Sequence, residues 1–293
     1  TGVQTCALPI WLWDIRNPAS TVYESAHLIS SKRMTEFTEF PMRDAVAAYP
    51  RHDEIRRYFA EYADHFGLRA HTRFRTRVVR VTRAAAGWEI TTECDGVGRT
   101  EPVDAVCIAT GTLHQRQQPA LPGTFTGTLL HSADYKSAAV FAGQRVLIIG
   151  CGNSGADIAV DAVRQAASVD ISLRRGYHFL PKFVKGRPID TLGGLIKLPR
   201  RLKQAVDGLI VRLLVGSPTD YGLPAPDHRL YESHPVLNSL LLHHLGHGDV
   251  RARRDVAAVE GRTVRFADGE QAEYDVIVQA TGYVLHYPFI DRA

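Results

Sequence analysis

From Arg145 to Leu173 the chain runs through an apolar stretch (Val146–Ile149), the turn Gly150-Cys-Gly152-Asn-Ser-Gly155, an alanine-rich segment from Ala156 to Ala167, and a second β-rich run, Val169–Leu173. Three spaced glycines alone arise easily by chance. With a strand before them and a helix after them, they specify a βαβ unit. In that setting the first glycine makes the tight turn, the second lets backbone approach a pyrophosphate, and the third lets helix and strand pack closely. The helix start then turns unpaired N–H groups and the positive end of its dipole toward an anion. Gly150, Gly152, Asn153, Ser154 and Gly155 are therefore the candidate phosphate cradle; the competing reading is a strand–turn–helix that binds nothing. The second strand ends in Ser172-Leu173-Arg174-Arg175. A site for NAD places a carboxylate there for the ribose 2′-OH, whereas two guanidiniums suit a 2′-phosphate, so NADP(H) is favoured. A solvated arginine pair is the plain alternative.

The rest of the chain has the balance of a globular protein with a real core: 293 residues, 45% hydrophobic and 23% charged. That length suits one large α/β domain or two ordinary ones. The 35 Lys and Arg exceed the 31 Asp and Glu by four and are spread along the chain, so no nucleic-acid partner is expected. Cys6, Cys94, Cys107 and Cys151 form no C-x-x-C pair and no metal-ligand spacing, which reads as reduced thiols in a cytoplasmic protein without bound metal. No run of 18 apolar residues occurs, and no membrane contact is expected. Oligomeric state has no signature. The first ten residues read like a translated sequencing adapter and are set aside from fold reasoning, and the chain stops at Ala293 directly after an apolar strand and turn, as a clipped piece would.

Periodicity supplies the remaining elements. Ile55, Tyr58, Phe59, Tyr62 and Phe66 recur at helical steps over Asp53–Phe66, with Gly67 as the stop. Arg77–Thr82 and Trp88–Thr92 read as a hairpin, and Asp104–Ala109 as a buried, parallel-type strand. A cationic helix is expected over Leu198–Val215, with an amphipathic face suited to a membrane surface or a substrate cleft. Strands alternate over Val250–Ala280 around an Asp268-Gly269 turn. His243, His244 and His247 match no metal-ligand set and read as a loop after Leu240–Leu242. Cys151, at a helix start, is expected to fill space rather than react. Ala109-Thr110-Gly111 and Ala280-Thr281-Gly282 each close an apolar run, where small residues let backbone come near a ligand.

Just before the βαβ unit, Phe125-Thr-Gly127-Thr-Leu-Leu-His131-Ser132-Ala-Asp-Tyr135 resembles the F-x-G-x-x-x-H-x-x-x-[FY] fingerprint of flavin-containing monooxygenases. Tyr23-Glu-Ser25, Ser31-Lys32, Phe40-Pro41, the two Ala-Thr-Gly strand ends and the glycine turn add to the likeness, which extends from Trp11 onward. Related Baeyer–Villiger enzymes usually end the fingerprint in Trp-Pro or Trp-Asp, whereas here it ends in Tyr135-Lys136, so the N- or S-oxygenating branch is favoured.

The resemblance implies an α/β fold of two dinucleotide-binding, Rossmann-like domains, the NADP domain inserted into an incomplete FAD domain. The expected division is 11–136 with 249–293 for FAD and 137–248 for NADP. It implies FAD and NADP as cofactors, and O₂ and a soft nucleophilic small molecule as substrates, with the protein positioning cofactors and excluding water. By the same resemblance the Gly150–Gly155 loop holds the NADP pyrophosphate, Arg174 and Arg175 take its 2′-phosphate, and Ser132 and Tyr135 lie on the NADP side. Trp13, Thr110, Gly111, Thr281 and Gly282 lie on the FAD side, and His131 fixes the linker between domains rather than acting as a base. Two departures stand out. The family's first G-x-G-x-x-G, which would hold the FAD pyrophosphate, is absent from the sequence, and Ile29 stands where oxygenating members often carry Asn. No catalytic residue is assigned. A flavin-dependent disulfide reductase is a weak alternative, because the paired redox cysteines it needs are absent. A non-catalytic NADP-binding piece is a further alternative.

Overall fold

The computed structural model describes residues 10–192 and 199–290; most of the adapter-like start, Leu198 and the last three residues lie outside the described residues. The chain divides into two units: residues up to Ser20, His52–Arg116 and Tyr283 onward form one, and Thr21–Arg51 with Gln117–Gly282 form the other.

In the first unit, helix α1 (His52–His65) buries Ile55, Tyr58 and Ala63 along one stripe. Asp53 and Glu54 sit in its first turn and His65 in its last, each matching the sign of the helix dipole. Gly67, at φ +63°, turns the chain out of the helix. Strands β1 (Thr76–Arg83), β2 (Trp88–Cys94) and β3 (Val97–Val103) make an antiparallel meander. The β1–β2 turn needs Gly87, at φ +77°, because a Cβ there would lie 2.4 Å from the Val103 carbonyl oxygen. Strand β3 is polar and mostly exposed, and no apolar alternation marks it in the sequence. The strand expected over Asp104–Ala109 is not formed; that stretch has no regular secondary structure and, apart from Val106, is exposed. An apolar run becomes a buried parallel strand only where neighbours ladder with it on both sides, and among the described residues none pairs with this one. The same unit accordingly contains no parallel ladder among its described strands.

The second unit is built on a five-stranded parallel sheet. Its strands are β4 (Thr128–His131), β5 (Arg145–Ile149), β6 (Ser168–Ser172), β7 (Val250–Arg253) and, later in the chain, Val276–Gln279, in the order β7, β6, β5, Val276–Gln279, β4. Every adjacent pair is parallel. The domain boundaries expected at 136/137 and 248/249 therefore run through this sheet. Strands β4, β7 and Val276–Gln279 find their partners beside the βαβ unit, although the sequence placed them with the FAD-side segments. Helix α2 (Asn153–Ala162) is shorter than the alanine run suggested. Past Ala162 the backbone turns to bond residues 143–144 instead: the Gln165 carbonyl accepts from Gly143, and the Ala167 N–H donates to Gln144.

Strands β8 (Val256–Gly261), β9 (Thr263–Phe266) and β10 (Gln271–Glu273) form a second sheet with Gly123–Phe125, the β9–β10 hairpin turning at the expected Asp268-Gly269. With Val276–Gln279 named β11, this sheet packs Val264, Phe266 and Tyr274 against Leu147 of β5 and Ile277 of β11 in one buried cluster. One buried carboxylate lies within the described strands of the main sheet. Asp170 of β6 is buried and accepts from Arg253 Nε (2.6 Å) and from the Tyr274 hydroxyl (2.6 Å), so its charge is paired. Helix α3 (Arg200–Val215) is the expected cationic helix, and Leu202, Leu209, Ile210, Leu213 and Leu214 on it face solvent. None of the described helices is long and apolar enough to cross a membrane. Helix α4 (Ser239–His247) corrects the histidine loop: Asn238 caps its start by accepting the Leu241 N–H (3.2 Å), and Gly248 at φ +79° ends it. The Asn cap and the Gly stop are the helix signals the histidine cluster masked.

Two outcomes are expected from this packing. Leu147→Ala should cost about 3 kcal/mol, within the usual range for a fully buried leucine, as a lowered urea midpoint with unchanged slope. Arg145 donates through its backbone N–H (2.9 Å) and guanidinium (3.0 Å) to Asp275, and holds that carboxyl well below the usual carboxylate range. A depressed folded pKa adds stability that is present above the unfolded value of ~3.9 and is lost as pH falls through the folded one. Chemical denaturation of Asp275→Asn between pH 7 and pH 3 should thus show a deficit at neutrality that narrows on acidification.

Candidate functional site

The β5–α2 turn shows a distinct role for each glycine. Gly150 has φ +102°, and a Cβ there would stand 2.5 Å from the Ala280 carbonyl oxygen. At Gly155 a Cβ would meet the Gly150 carbonyl oxygen at 2.2 Å, so the helix sits directly on the turn. Gly152 faces open space, and a Cβ there would have no neighbour within 4 Å. Two glycines thus serve internal packing and the middle one leaves room for an outside group. The first helical hydrogen bond runs from the Ala156 N–H to the Gly152 carbonyl (3.0 Å), so the N–H groups of Asn153, Ser154 and Gly155 come before the helical ladder begins. These residues fit a dinucleotide pyrophosphate. Cys151 within the turn is fully buried, and burial pushes its thiol up to about 12, so it stays protonated and fills space.

The side chains of the loop face inward. Asn153 Oδ1 accepts the Leu237 N–H (2.8 Å) and its Nδ2 donates to the Pro235 carbonyl (3.5 Å). Its contribution to an anion is the backbone N–H, because the amide already holds residues 235–237. The Ser154 hydroxyl meets Tyr23, whose own hydroxyl donates to Asp157 Oδ2 (2.7 Å). Asp157 also accepts from Asn238 Nδ2 (2.7 Å), and burial nonetheless holds its carboxyl above the usual range. One turn on, Asp161 accepts from Ser25 and from the Tyr135 hydroxyl (2.9 Å). The cavity beside these two carboxylates, about 480 Å³, is also lined by His27, Lys182 and Phe183.

At the exit of β6, Arg174 and Arg175 are both exposed. Arg175 lies over the Tyr177 ring (5.4 Å) with one guanidinium N–H directed at Ser233 Oγ (3.4 Å). Arg174 has no partner among the described residues. A 2′-phosphate would find one free and one pre-placed guanidinium here.

Other expected site residues fall elsewhere. Tyr135 is 1% exposed, stacked on Phe141 and bonded to Asp161, so its ring and hydroxyl are taken up by packing within the second unit. Ser132 is buried at the end of β4, its N–H donated to the Gln279 carbonyl (2.9 Å). His131 Nδ1 accepts the Ala133 N–H (3.1 Å), which leaves the ring proton on Nε2 for the Gly282 carbonyl (3.2 Å). It ties the end of β4 to the end of β11. Thr281 and Gly282 follow β11, next to Ala280 against which Gly150 is packed, so they stand beside the glycine turn in the second unit. The Thr281 hydroxyl donates to the Gln117 carbonyl (2.5 Å). Trp13, Thr110 and Gly111 lie in the first unit, Trp13 half-buried and the other two exposed. That unit has no strand–glycine turn–helix among its described residues, so it shows no phosphate cradle for a flavin dinucleotide.

Comparison with known proteins gives the chain its relatives. The sequence model of the family described as flavin-binding monooxygenase-like matches residues 11–293. Flavin-containing monooxygenase 5 of Cavia porcellus is 32% identical over 301 residues, covering 96% of this chain and 56% of its own length. Dimethylaniline monooxygenase [N-oxide-forming] 2 of Oryctolagus cuniculus is 30% identical over 298 residues, covering 96% and 55%. The chain thus spans about half the length of the curated relatives it matches. Among solved structures, a flavin-containing monooxygenase from Stenotrophomonas maltophilia superposes with a TM-score of 0.67 at 22% identity, covering 95% of this chain and 69% of its own. An open form of cyclohexanone monooxygenase gives a TM-score of 0.71 at 20% identity, covering 97% and 68%. At those identities the likeness shows the mixed α/β fold with its parallel sheet.

Gly152 and Gly155 predict opposite behaviour in one experiment. Gly152→Ala should leave the melting temperature unchanged while weakening NADP⁺ binding, measured by calorimetry, about tenfold or more. Gly155→Ala should lower the melting temperature itself, because its methyl group collides with backbone.

Proposed function

Since the chain belongs to the flavin-binding monooxygenase-like family, we propose that it is the NADPH-handling part of a flavin-dependent monooxygenase. Its proposed substrates are O₂ and a small molecule bearing a soft nucleophilic nitrogen or sulfur. The observation that carries this reading is the turn at Gly150–Gly155, whose middle glycine opens outward and whose helix N–H groups precede the ladder. Bound NADPH would supply a hydride to a flavin, and the flavin would carry the oxygen chemistry.

The roles of this chain's own residues follow from their positions. The Asn153, Ser154 and Gly155 N–H groups bind the pyrophosphate, aided by the α2 dipole. Arg174 and Arg175 neutralise the 2′-phosphate and so select NADPH over NADH. His131 and the Thr281 hydroxyl fix the strand ends that wall the glycine turn. The N-oxide-forming relative supports nitrogen as the acceptor atom, and the Tyr135-Lys136 ending of the fingerprint points the same way. Ile29, where an Asn is usual, leaves the oxygenation step without that amide.

Two measurements test the proposal. Replacing Arg174 and Arg175 together by Ala should weaken NADPH about tenfold or more, the scale of one or two charge-assisted hydrogen bonds, and leave NADH unchanged. Equal losses for both cofactors would contradict the assignment. A form of the protein extended to the length of its relatives, given NADPH and O₂, should convert a tertiary amine or a thioether to its oxide. Product from a simple ketone alone would place it instead with the Baeyer–Villiger enzymes.

A further inference from the structure

The segment Pro224–Asn238 has no sequence motif, yet it is fastened along both ends of the nucleotide site. At one end it presses on the exit of β6: a Cβ on Gly176 would lie 2.3 Å from the carbonyl oxygens of both Pro224 and Ala225, so only glycine permits the contact. The His178 ring then bonds the His228 carbonyl (2.8 Å), and the Val236 N–H donates back to the His178 carbonyl (2.8 Å). At the other end the segment meets the glycine turn, through the Asn153 amide at Pro235 and Leu237, and through Asn238 at Asp157. Between these anchorages lies Ser233, whose hydroxyl faces Arg175.

An arginine at a strand exit has many rotamers, and ordering it on a ligand costs conformational entropy. Arg175 is already restrained on two sides, by the Tyr177 ring beneath it and the Ser233 hydroxyl beside it. Arg174 is not. We propose that the Pro224–Asn238 segment is the element that sets cofactor choice, with Ser233 as the positioning residue that holds Arg175 ready for the 2′-phosphate of NADP(H). The inference rests on the assignment of the arginine pair to that phosphate, and it adds which of the two is pre-placed and by what. Because the same segment is tied to Asn153, the 2′-phosphate end and the pyrophosphate end of the site are held in one fixed spacing.

Binding to the whole chain tests this without any flavin. Adenosine 2′,5′-bisphosphate and 5′-AMP differ by the 2′-phosphate alone, and their dissociation constants are read by calorimetry on wild type, Ser233→Ala and Ser233→Thr. The expected result is that Ser233→Ala weakens the bisphosphate about three- to tenfold, the range of one hydrogen bond, leaves 5′-AMP unchanged, and is rescued by Ser233→Thr. A Ser233→Ala protein that binds both ligands as wild type does would overturn the role of Ser233 while leaving the arginine assignment intact. Equal weakening of both ligands would also overturn it, by making the segment a general support. Wild type with no preference for the bisphosphate would remove the arginine assignment and this inference together.

Discussion

The site depends on a place where no side chain can fit. The turn after β5 passes between β6 and β11, the Gly150 N–H donating to the Ser172 carbonyl on one side and the backbone lying against Ala280 on the other. Helix α2 then returns so closely that Gly155 touches the Gly150 carbonyl. Backbone packed on backbone in this way fixes the helix start relative to three strands at once. The helix N–H groups are thereby aimed by the sheet, and an anion bound there meets donors that need not reorganise.

Around this rigid turn the polar side chains act as fasteners. Asp157 and Asp161, one turn apart on α2, receive Tyr23, Asn238, Ser25 and Tyr135 from three distant segments of the second unit. Taking a carboxylate partly out of water is costly unless donors meet it, and here each of the two half-buried carboxylates has two. The Tyr135 and Ser154 hydroxyls are taken up by this scaffold, so the groups left for the nucleotide we propose are the backbone amides of the turn and the two arginines.

The parts legible in the sequence are those whose cause is local. The glycine turn, α1 with its Gly67 stop, the β1–β2 hairpin and the Asp268-Gly269 turn are set by residues within a few positions of one another. The sheet that contains the site was only partly legible, because β4 and β11 are four-residue strands, Thr-Leu-Leu-His and Val-Ile-Val-Gln, whose partners lie far along the chain. The strand expected at Asp104–Ala109 shows the converse. Its residues are as apolar as those of β11, but it lacks a ladder among the described residues and stays exposed. Ser233 gave no signal, since it meets Arg175 only after folding, and Asn238 signalled no more than a helix cap, its bond to Asp157 being set by the fold. The pair Asp157 and Asp161 could have been read as one helical face from their spacing alone.

Everything proposed for the site requires that the amides opening α2 bind a dinucleotide phosphate. Titrating ¹⁵N-labelled protein with NADP⁺ and following the backbone amide resonances tests this directly. The largest, saturable shifts are expected on Gly152, Asn153, Ser154 and Gly155, with a second set at Arg174 and Arg175. Saturable binding that leaves the Gly150–Gly155 resonances in place would contradict it.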